Sequence, residues 1–188
     1  MYVQDLTPQI LIPVFSGFYM FGFAFLLVAP VVLYLFTPAL RPLKELFVAY
    51  ILNYAAGAFF YSFFVAVGPR NHLSQVDGLM YQFYPDTQDV TSAVSENTDV
   101  FPSLHTSLSV IVLLFAWQTR DLQPRWLQIT TVVTTGIVLS TMILGIHWVV
   151  DVVAGIALAF LCVFLARRIV DVTEARLSDR TTEEAEAV

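Results

Sequence analysis

Two short patterns in this 188-residue chain hold residue types that do chemistry: His147-x3-Asp151, and Pro102-Ser103-Leu104-His105. Four residues apart on a helix, His147 and Asp151 share one face. Ionisable residues inside a membrane span are rare and turn toward the bundle interior. A carboxylate placed there accepts the proton of one imidazole nitrogen and leaves the other free, which prepares a histidine for nucleophilic or base catalysis. The bland alternative is a buried pair that only pins its helix to the neighbours.

The second pattern predicts a helix start. Proline suits a first turn, where its missing N–H would be unpaired anyway. The N–H groups that follow it, together with the positive end of the helix dipole, make an anion site. Ser103 adds a hydroxyl to that site and His105 an ionisable group. Upstream, Gly68-Pro69-Arg70 presents the one strong cation on the same side up to residue 101. An arginine, a helix N-terminus, a serine and two histidines at one depth point to a phosphate pocket. The third histidine, His72, falls on that side as well.

The elements that must position these residues are apolar. Of the residues, 57% are hydrophobic and 13% charged, and the mean hydropathy is +0.73. A soluble domain carries roughly 25% charge, so the chain belongs in a bilayer. Its net charge of -6 repels phosphate backbones and excludes a nucleic-acid partner. The single Cys162 excludes a disulfide or a cysteine metal cluster.

About 20 apolar residues span a bilayer, and five stretches qualify: Ile10–Phe36, Glu45–Val67, Pro102–Thr119, Trp126–Leu144 and His147–Ala166. Pro13 and Pro30 predict tilt or a kink in the first. The fold class is all-α, a multi-pass helix bundle over residues 1–168. An acidic cytoplasmic tail, 169–188, is expected to be a short helical extension followed by a disordered end.

Arg41 and Lys44, Arg120 and Arg125, and Arg167 and Arg168 occupy three loops that must share a side. By the positive-inside rule that side is cytoplasmic, which puts both patterns on the outer face of a cell membrane. The long 69–101 segment holds Leu79, Met80, Tyr81, Phe83 and Tyr84, a cluster suited to the lipid interface. Gly155 and Ala159 extend the His147–Asp151 stripe as a small-residue face on which another helix can pack closely.

Pro102-Ser103-x-His105 followed by Ser140-x6-His147-x3-Asp151 resembles the type 2 phosphatidic acid phosphatase superfamily, over roughly residues 36–166. Leu104 stands where that family usually has glycine, and Thr141 follows Ser140 where it usually has arginine. Its Lys-x6-Arg-Pro motif has Pro69-Arg70 as the nearest substitute. The Phe-Pro-Ser-Leu-His form looks like the branch related to inositol phosphorylceramide synthase. Fewer cations tilt the substrate from a phosphomonoester dianion toward a phosphodiester monoanion, as in head-group transfer. The family usually has six spans and five are counted here, so the resemblance leaves open whether an upstream helix belongs before them.

The resemblance implies a set of roles. His147 attacks phosphorus, Asp151 holds its tautomer and His105 protonates the leaving alkoxide. Arg70, Ser103 and the Leu104 backbone bind the phosphate oxygens, with Ser140, Thr141 and His72 in possible minor parts. No metal or other cofactor is implied. The substrate is a lipid phosphate ester among membrane lipids, released to water or to a second alcohol.

Two other classes stay open. A metal-dependent hydrolase would use His72, His105, His147 and Asp151 as ligands, although no His-Glu-x-x-His is present. A transporter or scaffold would gather its polar residues near the midplane, whereas these lie at one interface.

Overall fold

A computed structural model describes residue 4, residues 6–37, 40–74, 76, 78–80 and 84, and residues 100–186. Among the described residues the regular structure is helical. Helix α1 is the stretch Gln9–Leu35, α2 is Arg41–Phe63, α3 is the short Pro69–His72, α4 is Leu104–Gln118, α5 is Pro124–Ile143 and α6 is Val149–Glu186. α1, α2, α5 and α6 have the length and composition to cross a membrane.

The bundle is apolar outside and polar within. Phe25, Val28 and Val32 of α1, Ile51 and Phe59 of α2, Val132 of α5, and Val153 and Phe160 of α6 are exposed. Asn53, Ser103, Thr106, Ser107, Thr130, Ser140, Thr141, His147 and Asp151 are buried. Water would invert this pattern, whereas lipid tolerates it, because polar side chains find partners only in the interior.

α4 is the central helix. Leu108 is buried, Ile111 and Phe115 belong to one buried apolar cluster, and Val112 and Ala116 belong to a second. One joins α4 to α2 and α6 through Leu46, Ala49, Ala159, Cys162 and Val163, and the other joins it to α1 and α5 through Leu26, Trp126 and Ile137. At 15 residues, α4 rises about 22 Å against about 30 Å of hydrocarbon. At least one of its ends therefore lies within the layer its neighbours span, where irregular backbone is tolerated only if protein surrounds it. The five expected spans are thus four of full length around a shorter fifth.

Three local features go beyond the sequence reading or differ from it. α1 holds a π turn at Phe18–Gly22, while Pro30 sits inside a continuing helix. α6 runs on to Glu186, well past a short extension. Met80 packs with Ile12, Leu144 and Ile146 over the end of the bundle and not on lipid. Tyr81 and Phe83 lie outside the described residues.

At the far end, Arg41 bonds Glu45 at 2.8 Å and also meets Asp171 and Glu174, and Lys44 reaches Glu174 at 2.9 Å. This network fastens the start of α2 to the continuation of α6, and brings Arg41 and Lys44 to the same end as Arg167, which lies 4.0 Å from Glu45.

Candidate active site

The loop between α5 and α6 carries His147, and its shape follows from one glycine. α5 ends in a Schellman turn: Gly145 N–H donates to Met142 O at 3.1 Å and Ile146 N–H to Thr141 O at 3.0 Å. Gly145 has φ +66°, and a Cβ there would lie 2.5 Å from Val76. His147 N–H also donates to Thr141 O at 3.1 Å. Thr141 therefore holds the histidine through its carbonyl, while its hydroxyl turns back to Val138 O. The buried Ser140 hydroxyl likewise donates to Ile137 O. Neither hydroxyl points to the histidines.

His147 does not lie on the helix, as the four-residue spacing had suggested. α6 begins at Val149, and Asp151 sits in its first turn. Asp151 Oδ2 accepts the Trp148 N–H at 2.7 Å, a carboxylate in the first turn reaching back to cap the helix start. The same oxygen lies 3.7 Å from His147 Nδ1. Both side chains are buried, and Nδ1 has no hydrogen-bond partner. A buried donor without a partner is costly, and the nearby carboxylate is the acceptor that can close on it. The pair meets through the cap and not through a shared helix face.

At α4, Ser103 is the N-cap, and its Oγ accepts the Thr106 N–H at 3.3 Å. Pro102 lies one residue before the cap, outside the first turn where the sequence reading put it. Its carbonyl accepts the Tyr61 hydroxyl of α2 at 3.0 Å. Ser103 N–H donates to Asp151 O at 3.1 Å, which locks the start of α4 to the first turn of α6. Gly155 makes this contact possible, since a Cβ there would sit 2.6 Å from Ser103 O and 3.2 Å from Thr106 Cβ. The predicted small-residue face is therefore the surface against which α4 packs, with Ala159 fully buried below. The Leu104 side chain fills the space over Gly57 of α2. The leucine in the glycine position thus turns away from the helix end, where the N–H groups of Leu104 and His105 have no i−4 carbonyl to bond.

α3 closes the other side. Arg70 N–H donates to Gly145 O at 2.9 Å, and Trp148 Nε1 donates to Val67 O at 2.9 Å. Gly68 presses on this loop so closely that a Cβ would lie 2.4 Å from Ile146 O. Arg70 is thereby joined to the His147 loop backbone to backbone. His72 is exposed, with its ring 6.4 Å from Trp148.

The half-buried His105 ring lies 6.3 Å from the His147 ring, centroid to centroid, at 53°. The structure therefore brings together His147, Asp151, Ser103, Leu104 and His105, with Arg70 held to the same loop, and leaves His72 on the surface. Sequence reasoning missed Tyr19 and Phe23 of α1, whose rings lie 4.4 and 4.2 Å from that of His105. It also missed Tyr61 and Trp148, which brace the two loops.

The model of the PAP2 superfamily matches residues 6–165. The chain belongs to the PAP2 superfamily. This is the family that the His105 and His147–Asp151 motifs resemble. The crystal structure of Aquifex aeolicus LpxE shares the PAP2 fold of this chain with a TM-score of 0.68, at 17% identity over 89% of this chain and 91% of that one. An uncharacterised protein of Methanocaldococcus jannaschii is 26% identical over 163 residues, 85% of this PAP2 chain. The match spans 62% of that relative's length.

Proposed function

We propose that this protein is a membrane phosphatase or head-group phosphotransferase that acts on lipid phosphate esters through a phosphohistidine on His147. Membership in the PAP2 superfamily supports the reaction class. The observation that carries the reading is the pairing of two histidine rings 6.3 Å apart, with Asp151 Oδ2 at 3.7 Å from Nδ1 of one of them. That spacing lets both rings engage one phosphoryl group.

With Nδ1 turned to Asp151, Nε2 of His147 is the free nucleophile. Its lone pair forms the N–P bond as the P–O ester bond breaks, and the leaving alkoxide takes a proton from His105. Positive charge growing on the imidazole draws the carboxylate closer. The equatorial oxygens receive the Arg70 guanidinium, the Ser103 hydroxyl and the first-turn N–H groups at Leu104. Water, deprotonated by His105, then attacks phosphorus and breaks the N–P bond. A second alcohol in place of water makes the reaction a transfer. The thin cationic shell also admits a phosphodiester beside a monoester such as phosphatidic acid, and the branch resembling inositol phosphorylceramide synthase would use one.

The test is mass spectrometry of products from purified protein given a panel of phospholipids, with and without inositol. Release of phosphate from a monoester, or of a phosphomonoester from a diester, marks hydrolysis, and a new inositol phosphate ester marks transfer. Vanadate, which adopts the five-coordinate shape of the transition state, should inhibit, and EDTA should leave activity intact. Loss of activity in EDTA with recovery on adding zinc would select a metal-dependent hydrolase built on His105, His147 and Asp151.

The active site is proposed to face the non-cytoplasmic side. Cys162 is buried and gives little background to thiol labelling. An impermeant thiol reagent on intact cells should label Ser74→Cys, beside α3, and spare Asp121→Cys, in the α4–α5 loop. The reverse pattern would overturn the placement.

A further inference from the structure

α1 contributes none of the residues assigned a role in the reaction above, yet it meets His105 directly. The Tyr19 ring is stacked on the imidazole at 4.4 Å and 21°, and the Phe23 ring lies at 4.2 Å and 40°. Tyr19 lies in the turn at which α1 changes from α to π winding, Phe18–Gly22, and Phe23 follows it directly as the first residue of the next α segment. π turns of this kind are rare and concentrate at functional sites. Packing holds this one in place. Phe18 lies over Gly136 of α5 so closely that a Cβ there would come within 2.6 Å of its ring, and Gly22 faces Val133 and Ile137. The turn is therefore a seated element and not a frayed one, and the two rings it presents have fixed positions.

The Ser103 cap fixes the backbone of His105 but not the rotation of its ring, since the outer torsion of a histidine side chain is broad. A flat aromatic ring stacked on the imidazole restricts that rotation, because turning the imidazole would break the stack. A general acid has to aim its N–H at the departing oxygen, and small errors of aim are expensive in rate.

We infer that Tyr19 and Phe23 are positioning residues for His105, setting the plane of its imidazole so that the proton donor faces the leaving oxygen of the substrate. The inference rests on the acid role proposed for His105. It makes α1 part of the site's machinery. The chemistry it concerns is ring stacking, so the flat ring is the feature that matters.

Two substrates test it on the purified full-length protein in mixed micelles: phosphatidic acid, with a poor leaving group, and a nitrophenyl phosphate ester, with a good one that needs little protonation. Tyr19→Leu and Phe23→Leu keep apolar bulk and remove the flat ring. Together they should lower kcat on phosphatidic acid by about 10- to 100-fold with KM within about twofold, and spare most of the activity on the nitrophenyl ester. Tyr19→Phe should behave as wild type on both.

A general loosening of the bundle would depress both substrates alike, and that result would overturn the inference. So would a Tyr19→Phe as damaged as Tyr19→Leu, or an unchanged double variant. His105→Ala, run beside them, separates the two levels. If it shows the leaving-group dependence and the ring variants do not, the positioning role alone falls. If His105→Ala fails equally on both substrates, the acid role falls and takes the inference with it.

Discussion

His147→Ala is expected to abolish turnover of every phosphate ester the protein accepts, whatever the leaving group, with a loss of about 10^3-fold or more. The variant has no atom to form the N–P bond, so neither a better leaving group nor a stronger acceptor alcohol can restore the reaction. The side chain is buried, but its Nδ1 has no hydrogen-bond partner, so removing it breaks no existing bond and the bundle should still assemble.

Asp151→Asn sharpens the point. An amide oxygen still accepts the Trp148 N–H that Asp151 now caps at 2.7 Å, so the start of α6 survives. It cannot stabilise an imidazolium, and its NH2 group favours the wrong tautomer of His147. By analogy with other buried His–Asp pairs, the rate should fall about 10^3- to 10^4-fold while the thermal unfolding profile stays near that of the parent. Initial rates on phosphatidic acid, with unfolding followed by circular dichroism in the same detergent, check both variants. Substantial turnover by His147→Ala would remove it as the nucleophile.

Gly155→Leu should be nearly as damaging, although position 155 lies outside the pocket. Any side chain there runs into the Ser103 carbonyl, 2.6 Å from an ideal Cβ, and a backbone atom cannot rotate aside. Insertion of this kind into a packed core costs about 1–3 kcal/mol or more. The strain falls on the seam where Ser103 N–H meets Asp151 O. Relief requires α4 to move away from α6, which separates His105 from His147. Displacement of a catalytic group by about 1 Å is enough for about a 100-fold loss, so activity should drop at least that far and the melting temperature should fall with it. Val153→Leu, on the exposed face of the same helix, is the control and should change neither. A fully active Gly155→Leu would mean that the seam does not set the histidine spacing.

How legible the site was depended on the kind of signal each residue leaves. His105, His147 and Asp151 stand out because ionisable side chains are scarce in apolar stretches, and because their spacing matches a family pattern. Asp151 was found through helical spacing, yet the pair forms because Asp151 caps α6 while His147 lies before it, a distinction of two residues that periodicity does not resolve. The Gly155–Ala159 stripe pointed correctly to close packing, without saying which helix packs there.

Tyr19 and Phe23 left no mark. In a spanning helix rich in phenylalanine, rings that face lipid and rings that face a histidine look the same, and the π turn that orients these two has no signature in composition. The bundle itself was readable from apolar run lengths. The exact start of α4 was not, because the Ser103 cap begins the helix two residues inside the expected Pro102–Thr119 stretch and leaves no mark in run length. Past residue 168, α6 is fastened by Asp171 and Glu174 pairing with Arg41 and Lys44 of another helix, a tertiary effect that tail composition conceals.

The central claim is a covalent bond between phosphorus and His147, and a rapid-quench experiment reads it directly. Wild-type protein mixed with phosphatidic acid carrying radioactive phosphorus, and stopped in alkali during the first turnover, should hold label on the protein. Because a phosphorus–nitrogen bond is cleaved in acid, the label should be lost at low pH and retained at high pH. Peptide mass spectrometry should place the phosphate on His147, and His147→Ala should take up none. Turnover by the wild type without any protein-bound label, or label carried on His105, would contradict the account.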